Sequence, residues 1–487
     1  MVITNFPLYL IILPLFVAFF IFMFHSFFKK IALFLAFLTF LVNGVIAYYV
    51  YLASQTQSIL VKLANFLPPI GINLFVYKFN GLLVLVVAVV GILVSLYSLY
   101  YIKEGDKSRY ASLLLLFFTG MNGIFLTGDI FNFFVFFEIL SISAFSLVGY
   151  ENKKMSIEAG FKYLVQASLG SLFFLIAIGL TYSQVGTLNI ADIASKIGAI
   201  TGPMKFLIFG SFLTGLGVET ALFPLNFWLP DAHSMAPSSI SAILSGLAIN
   251  AGLYGVIVVF YIIGNGAFLN VLIIVGVITM LIGESMAYRQ TNYKRMLAFS
   301  STGQMGLVTM AFFAGTPLLV VAAIFQLVNH IVAKVLLFLS GGYILKDSKG
   351  YAISDLKGAF YKYPIAALGI IIGALSLLGI PLTLGFYSKI KILLGFASLN
   401  KFVFIVLILV ASYFEGVYFI KVIANLFQRS DNEKEFSIPF FVNLIFLFLI
   451  ITIVILGVYP KLLGNISTMA GELLNRSQYI SEVLNVR

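Results

Sequence analysis

Glu138, Glu219, His330, Lys334, Lys389, Lys391 and Glu415 are ionisable residues set inside long apolar runs, with Asp129, Lys162, His233, Glu284 and Lys421 nearer the ends of such runs. An ionisable side chain at the centre of a bilayer costs roughly 2.5–3.5 kcal/mol even on a lenient insertion scale, so each is a candidate for function. Both signs occur, and they fall in different runs. A receptor or a simple channel has no need of such a series. A proton relay does, because each carrier must titrate and must sense its neighbour's charge. His330 and Lys334 are four residues apart and therefore share one helix face. A lone buried histidine is more often a satisfied core residue, but a lysine one turn away reverses that expectation. Lys391 and Lys421 read instead as lysines that snorkel to the interface. No cysteine occurs in 487 residues, which excludes disulfides, thiolate metal sites and cysteine-held iron–sulfur clusters. With no metal-ligand or nucleophile constellation either, no bond chemistry is assigned to the chain, and any redox step belongs to partner chains.

The elements that hold these groups are membrane helices. Hydrophobic residues make up 61% of the chain and charged residues 10%, against roughly 25% charged in a soluble domain, and the mean hydropathy is +1.09. Apolar runs of about 18 residues or more recur throughout, each long enough to span a bilayer. They predict an all-α polytopic membrane protein with about fourteen transmembrane helices and no soluble domain. The first seven fall at about 8–28, 31–53, 80–102, 111–127, 130–149, 160–183 and 205–228. The others fall at about 239–262, 267–287, 296–315, 317–345, 364–398, 402–428 and 437–458. No small-residue cleavage site follows the first run, so it is expected to be retained as a helix. Pro224 interrupts the seventh span and Pro381 the twelfth. Broken helices five spans apart suggest an inverted repeat around an ion pathway, the second copy upside down because five is odd; two unrelated proline kinks are the plainer alternative. The tail 459–487 reads as a short amphipathic stretch at the interface. The single tryptophan and the many phenylalanines read as lipid-facing or packing residues.

The net charge of +11 is spread over short loops, the footprint of membrane topology and not of a phosphate-binding face. Loops after odd-numbered spans hold sixteen lysines and arginines, Lys349, Arg429 and Lys434 among them, against eight in the even-side loops and tail. That excess places the odd loops and Lys349 in the cytoplasm, with both termini, including the residue 487 end, outside the cell membrane.

Five segments carry a resemblance to a known family: Gly128–Ser141 (GDIFNFFVFFEILS), Ala221–His233 (ALFPLNFWLPDAH), Asn292–Ser301 (NYKRMLAFSS), Asn329–Phe338 (NHIVAKVLLF) and Gly385–Lys389 (GFYSK). Together they resemble the antiporter-like subunits: Mrp-type sodium/proton antiporters, the proton-pumping N-, M- and L-type subunits of respiratory complex I, and the membrane arms of energy-converting hydrogenases and sulfane sulfur reductases. Within that family the likeness is to the D-type component of the Mrp antiporters. The missing long lateral helix after span fourteen argues against the most distal complex I type. The resemblance implies two inverted five-helix repeats, each a half-channel, at 111–265 and 266–428. They are preceded by a three-helix region, 1–110, and followed by the last transmembrane helix and tail, 429–487.

It also implies an ion-translocating subunit, for protons or for sodium against protons, within a multi-subunit, redox-driven complex. Its partners would be other membrane subunits, including other antiporter-like ones, and the lipid bilayer, with no nucleic acid. It implies no cofactor in this chain, only H+ or Na+ as the transported ion. Residue by residue, Glu138 matches the fifth-span glutamate that pairs with a seventh-span lysine. His330 and Lys334 match the central relay, and Lys389 the residue of the broken twelfth span that exchanges protons with one side. Glu415 is an acidic candidate that could pair with Lys389.

Two positions depart from the family. Glu219 stands where the seventh-span lysine is usual, and Asn250 where the eighth-span lysine is. The first half-channel therefore lacks both expected basic residues, and two carboxylates can face each other. In a low dielectric they cannot both stay ionised, so Glu138 and Glu219 would share a proton, coordinate sodium through hard oxygens, or belong to a half-channel that no longer conducts. Alternatives to translocation within a complex are a structural spacer, which Glu219 and Asn250 favour, and a self-sufficient secondary antiporter.

Overall fold

The computed structural model describes residues 5–266, 268–346, 350–428 and 437–484. Lys349, Arg429, Lys434 and the residue 487 end, on which part of the orientation reading rests, lie outside them. Among the described residues, twelve helices are long and apolar enough to cross a membrane. Six come first: α1 (Phe6–Met23), α2 (Ala32–Thr56), α3 (Lys78–Tyr101), α4 (Lys107–Leu126), α5 (Ile130–Val148) and α6 (Lys154–Val185). The predicted seventh span is two helices, α7 (Gly202–Glu219) and α8 (Trp228–Met235). Then come α9 (Ser238–Ile263), α10 (Leu269–Tyr288), α11 (Tyr293–Phe313) and α12 (Pro317–Ile344). The predicted twelfth is again two, α13 (Pro364–Leu378) and α14 (Leu384–Ser398), followed by α15 (Phe402–Phe427) and α16 (Phe440–Val458). Both interruptions thus fall at the expected prolines, which cannot donate to the helix ladder.

Composition decides which helices lie inside. α9 and α11 are buried all round and α12 nearly so, whereas most of α1, α6 and α15 faces outward. The outward faces carry Phe16, Phe19, Phe161 and Tyr413, while the inner helices carry Gly, Ser, Asn and Gln, small or hydrogen-bonding residues that drive helix association in lipid. α10 and α11 show the effect most clearly. Gly303 leaves room for the Glu284 carboxylate, and a Cβ there would collide with it.

Two features escaped the hydropathy pattern. Between α2 and α3 lies an antiparallel hairpin, β1 (Ile59–Lys62) with β2 (Asn73–Val76), in the register Ile59 opposite Val76. The other is how the tail docks: its helices α17 (Ile466–Leu474) and α18 (Arg476–Leu484) pack on the bundle and bury Met469, Ala470 and Val483. Both ends of the described chain sit on one face. The Phe6 ring lies 6.3 Å from that of Tyr49, and the Tyr51 hydroxyl donates to the Leu463 carbonyl at 3.3 Å. On the opposite face His25 meets Asp106 at 3.4 Å, tying the loop after α1 to the loop after α3.

Candidate functional site

The second interruption ends α13 at Leu378 and restarts the chain as α14 at Leu384, which leaves carbonyls in mid-bundle without helical partners. Lys389, in the second turn of α14, approaches the Leu378 carbonyl at 3.4 Å and pairs with Glu415 of α15 at 2.5 Å. Gly385 permits the close crossing, since any Cβ would strike the Ser376 carbonyl. From this pair the polar contacts continue. Gln304 of α11 donates to the other Glu415 oxygen at 2.9 Å and reaches Glu284 of α10 at 3.4 Å. Gln326 of α12 donates to Gln304 at 2.6 Å, and the Ser388 hydroxyl donates to Gln326. The Tyr418 hydroxyl lies 2.7 Å from Glu284 and 2.8 Å from the Ser300 hydroxyl. Five helices thus contribute to one buried network.

Lys334 is fully buried on α12. Its ammonium donates to the Leu297 carbonyl at 3.0 Å and, among the described residues, makes no ion pair; Glu284 and Glu415 lie within electrostatic range of it. One turn earlier, His330 Nδ1 lies 3.4 Å from the Asn250 amide of α9, whose Nδ2 also donates to the Gly246 carbonyl at 2.7 Å. That carbonyl belongs to a π-helical turn, Leu244–Ala248. His330 Nε2, Asn250 Oδ1 and both ring nitrogens of His233 find no partner among the described residues. Buried polar atoms of this kind are ordinarily satisfied by water. The His233 ring stacks on Phe338, centroids 5.0 Å apart.

In the first half, α7 stops at Glu219 and the chain turns through Ala221 at φ 55° before Pro224. The freed carbonyls are satisfied by side chains: the Trp228 indole donates to Val218 at 2.9 Å and Gln166 to Leu225 at 2.7 Å. Trp228 is buried, its ring stacked 3.9 Å from Tyr163; it packs and also caps the break. The break presents the Glu219 carboxylate to the Ser141 hydroxyl of α5, which donates to it at 3.1 Å. Glu138, one turn before Ser141, accepts from the Ser171 hydroxyl of α6. The two carboxylates are close enough for their charges to interact, and neither has a basic partner among the described residues.

The remaining sequence candidates divide. Asp129 caps α5, accepting from the Asn132 amide at 2.8 Å, and Lys391 lies over the Tyr387 ring at 4.8 Å. Lys421 is exposed, and Lys162 bonds Glu158 at 2.9 Å and Asp231 at 3.2 Å near the edge of the bundle. Sequence reasoning set Glu284 at the end of its span, whereas it sits within the network. It missed Gln304, Gln326, Tyr418 and Ser388. The spacing Gln326, His330, Lys334, four residues at each step, was the signal available for one of them.

Residues 127–415 match the family described as NADH:quinone oxidoreductase/Mrp antiporter, transmembrane. The chain therefore belongs to that family of polytopic membrane proteins. It is 32% identical over 371 residues to the N-type subunit of the NADH-quinone oxidoreductase of Desulforudis audaxviator, a match covering 74% of each chain. It is equally, at 32% over 372 residues, similar to the D-type component of the Na(+)/H(+) antiporter of Alkalihalophilus pseudofirmus, covering 74% of this chain and 75% of that one. Among solved structures, a chain of the membrane-bound sulfane sulfur reductase, an archaeal respiratory membrane complex, superposes with a TM-score of 0.93. That match has 33% identity and covers 98% of this chain and 99% of the other.

Proposed function

We propose that this chain is an ion-translocating subunit of a multi-subunit, redox-driven complex of the cell membrane, moving protons, or sodium against protons, beside other antiporter-like subunits. The observation that carries the reading is the buried network from Lys389 and Glu415 through Gln304 to Glu284, within electrostatic reach of Lys334. Titratable groups linked by hydrogen bonds in a membrane interior can hand on a proton and sense each other's charge. The interrupted helices α7–α8 and α13–α14 are read as equivalent positions in two inverted repeats, 111–265 and 266–428. The deciding experiment is proton flux in liposomes holding either the purified complex or this chain alone. Flux from the complex only is expected; flux from the chain alone would make it a self-sufficient antiporter.

The first half-channel is read as holding one proton or one sodium ion between Glu138 and Glu219. The Ser141 and Ser171 hydroxyls add hard oxygens to the two carboxylates, the ligand type such a cation prefers. Glu219→Gln is expected to remove sodium dependence from transport and any sodium-sensitive carboxyl band from the infrared difference spectrum. Glu219→Lys is expected to restore the family's ion pair with Glu138 and also to change sodium dependence. Wild-type transport indifferent to sodium, with no such band, would favour a first half-channel that serves only as a spacer.

The loops after odd-numbered spans are assigned to the cytoplasm and both termini to the outside, on the basic excess. Cysteines placed at the exposed Lys357 and Lys461 test this in a chain that has none of its own. An impermeant thiol reagent added to sealed cells should label position 461 and spare 357. Labelling of 357 instead reverses the orientation.

A further inference from the structure

We propose that a second polar path, from a pocket beneath the C-terminal tail to His330, gives protons access to the centre without passing Glu138 or Glu219; it rests on the translocation reading above. The pocket, of about 120 Å³, lies where the end of α2, strand β2 and the tail helices meet, and Ser58, Tyr77, Lys78, Glu472 and Glu482 line it. Across its mouth Lys78 of α3 pairs with Glu472 of α17, and the Lys78 amide also donates to that carboxylate at 3.2 Å. At its inner wall Tyr77, only 7% exposed, turns its hydroxyl inward and donates to the Tyr254 hydroxyl of α9 at 3.4 Å. Tyr254 in turn lies 3.3 Å from the Phe125 carbonyl, one of the last of α4, which has no helical partner.

One helical turn separates Tyr254 from Asn250, which contacts His330. Side chains four apart share one face of a helix, and the path takes water between the Tyr254 hydroxyl and the Asn250 amide. The polar partners such a water needs are present: Asn250 Oδ1 and His330 Nε2 are buried and without a partner among the described residues. The Tyr254 hydroxyl donates to the Phe125 carbonyl; turned from it toward this water, it releases its own proton as it accepts one from the Tyr77 side, so nothing accumulates on either phenol. Asn250 acts as a positioning residue that holds the water and the imidazole. His330 and Lys334 then share one helix face.

The chemistry of the path selects the proton. Between Glu472 and His330 it consists of hydroxyls and one amide, with no carboxylate to replace the hydration shell of a metal cation. It also accounts for a lysine-free first half: with Asn250 in the lysine position, the route keeps a neutral hydrogen-bonding group where a fixed charge would repel an incoming proton.

The test uses the whole complex in proteoliposomes, with the variants Tyr77→Phe, Tyr254→Phe and Lys334→Met. Tyr254→Phe keeps the ring that packs against Phe79, Phe125 and Phe133, and Tyr77→Phe the ring that packs against Phe75 and Tyr479. Each is expected to lower proton flux by about tenfold or more with assembly unchanged. If both phenylalanine variants pump at the wild-type rate while Lys334→Met does not, the path is overturned and the translocation reading stands. If Lys334→Met pumps as well, Lys334 drops out of the mechanism, the path is left without its central acceptor, and it is overturned too. A second measurement is independent of the hydroxyls. Ser58→Cys, modified by a bulky impermeant thiol reagent, is expected to block flux, and complete modification with full flux would also overturn the path.

Discussion

Replacing Lys334 with methionine is expected to abolish coupled ion movement while leaving the complex assembled. Methionine is unbranched and flexible, so it fills the space of the lysine stem. The Leu297 carbonyl that loses the ammonium still accepts from the Ser301 hydroxyl at 2.9 Å, so no buried acceptor is orphaned. What disappears is the cation whose charge acts on Glu284, Glu415 and His330. A positioned proton carrier contributes roughly 10²–10⁴-fold to proton transfer, and flux in proteoliposomes should fall by that order. Size-exclusion profiles and subunit content should match the unaltered complex. A fully active Lys334→Met complex would take this residue out of the mechanism.

Lys389→Ala is expected to lose both transport and stability, and the two effects can be separated. Removing one partner of a buried ion pair leaves an uncompensated charge, at a cost of about 3–5 kcal/mol. Here the stranded group would be Glu415, left with Gln304 as its remaining donor. The double variant Lys389→Met with Glu415→Gln removes both charges, keeps an amide that can still accept from Gln304, and should regain the lost thermal stability. Its proton flux should remain depressed roughly 100-fold, because no titratable pair is left beside the break. Lys421→Ala, on the exposed face of the same α15, is the control and should change neither measurement. Wild-type flux from the double variant would show that the Lys389–Glu415 pair holds the helices together and carries nothing.

Much of the molecule was legible in the chain. The membrane helices follow from apolar runs, both interruptions from Pro224 and Pro381, and the shared helix face of His330 and Lys334, both buried, from their spacing. The hairpin between α2 and α3 was not legible, because each of its strands is four residues long and lies in a stretch otherwise read as a loop. Nor was the second role of Trp228. An indole beside a proline-broken helix reads as packing or lipid contact, and only the position of the Val218 carbonyl turns it into a cap.

Placement in the membrane and the inventory of titratable groups are properties of the sequence alone, because transfer into lipid is close to additive, residue by residue. The partner of each group is not. Gln304 meets Glu415 across 111 residues and Lys389 meets it across 26. Uncharged Gln304, Gln326 and Tyr418 join the network without any strong signal in a hydropathy profile. A hydrogen bond belongs to a pair of side chains, and which pairs form depends on where helices cross and where a break releases a carbonyl. The same reason explains the two halves. The missing lysines at Glu219 and Asn250 could be read from the chain, but that Glu219 meets a serine of α5 and Asn250 reaches the central histidine was decided by the packing of α5, α7, α9 and α12.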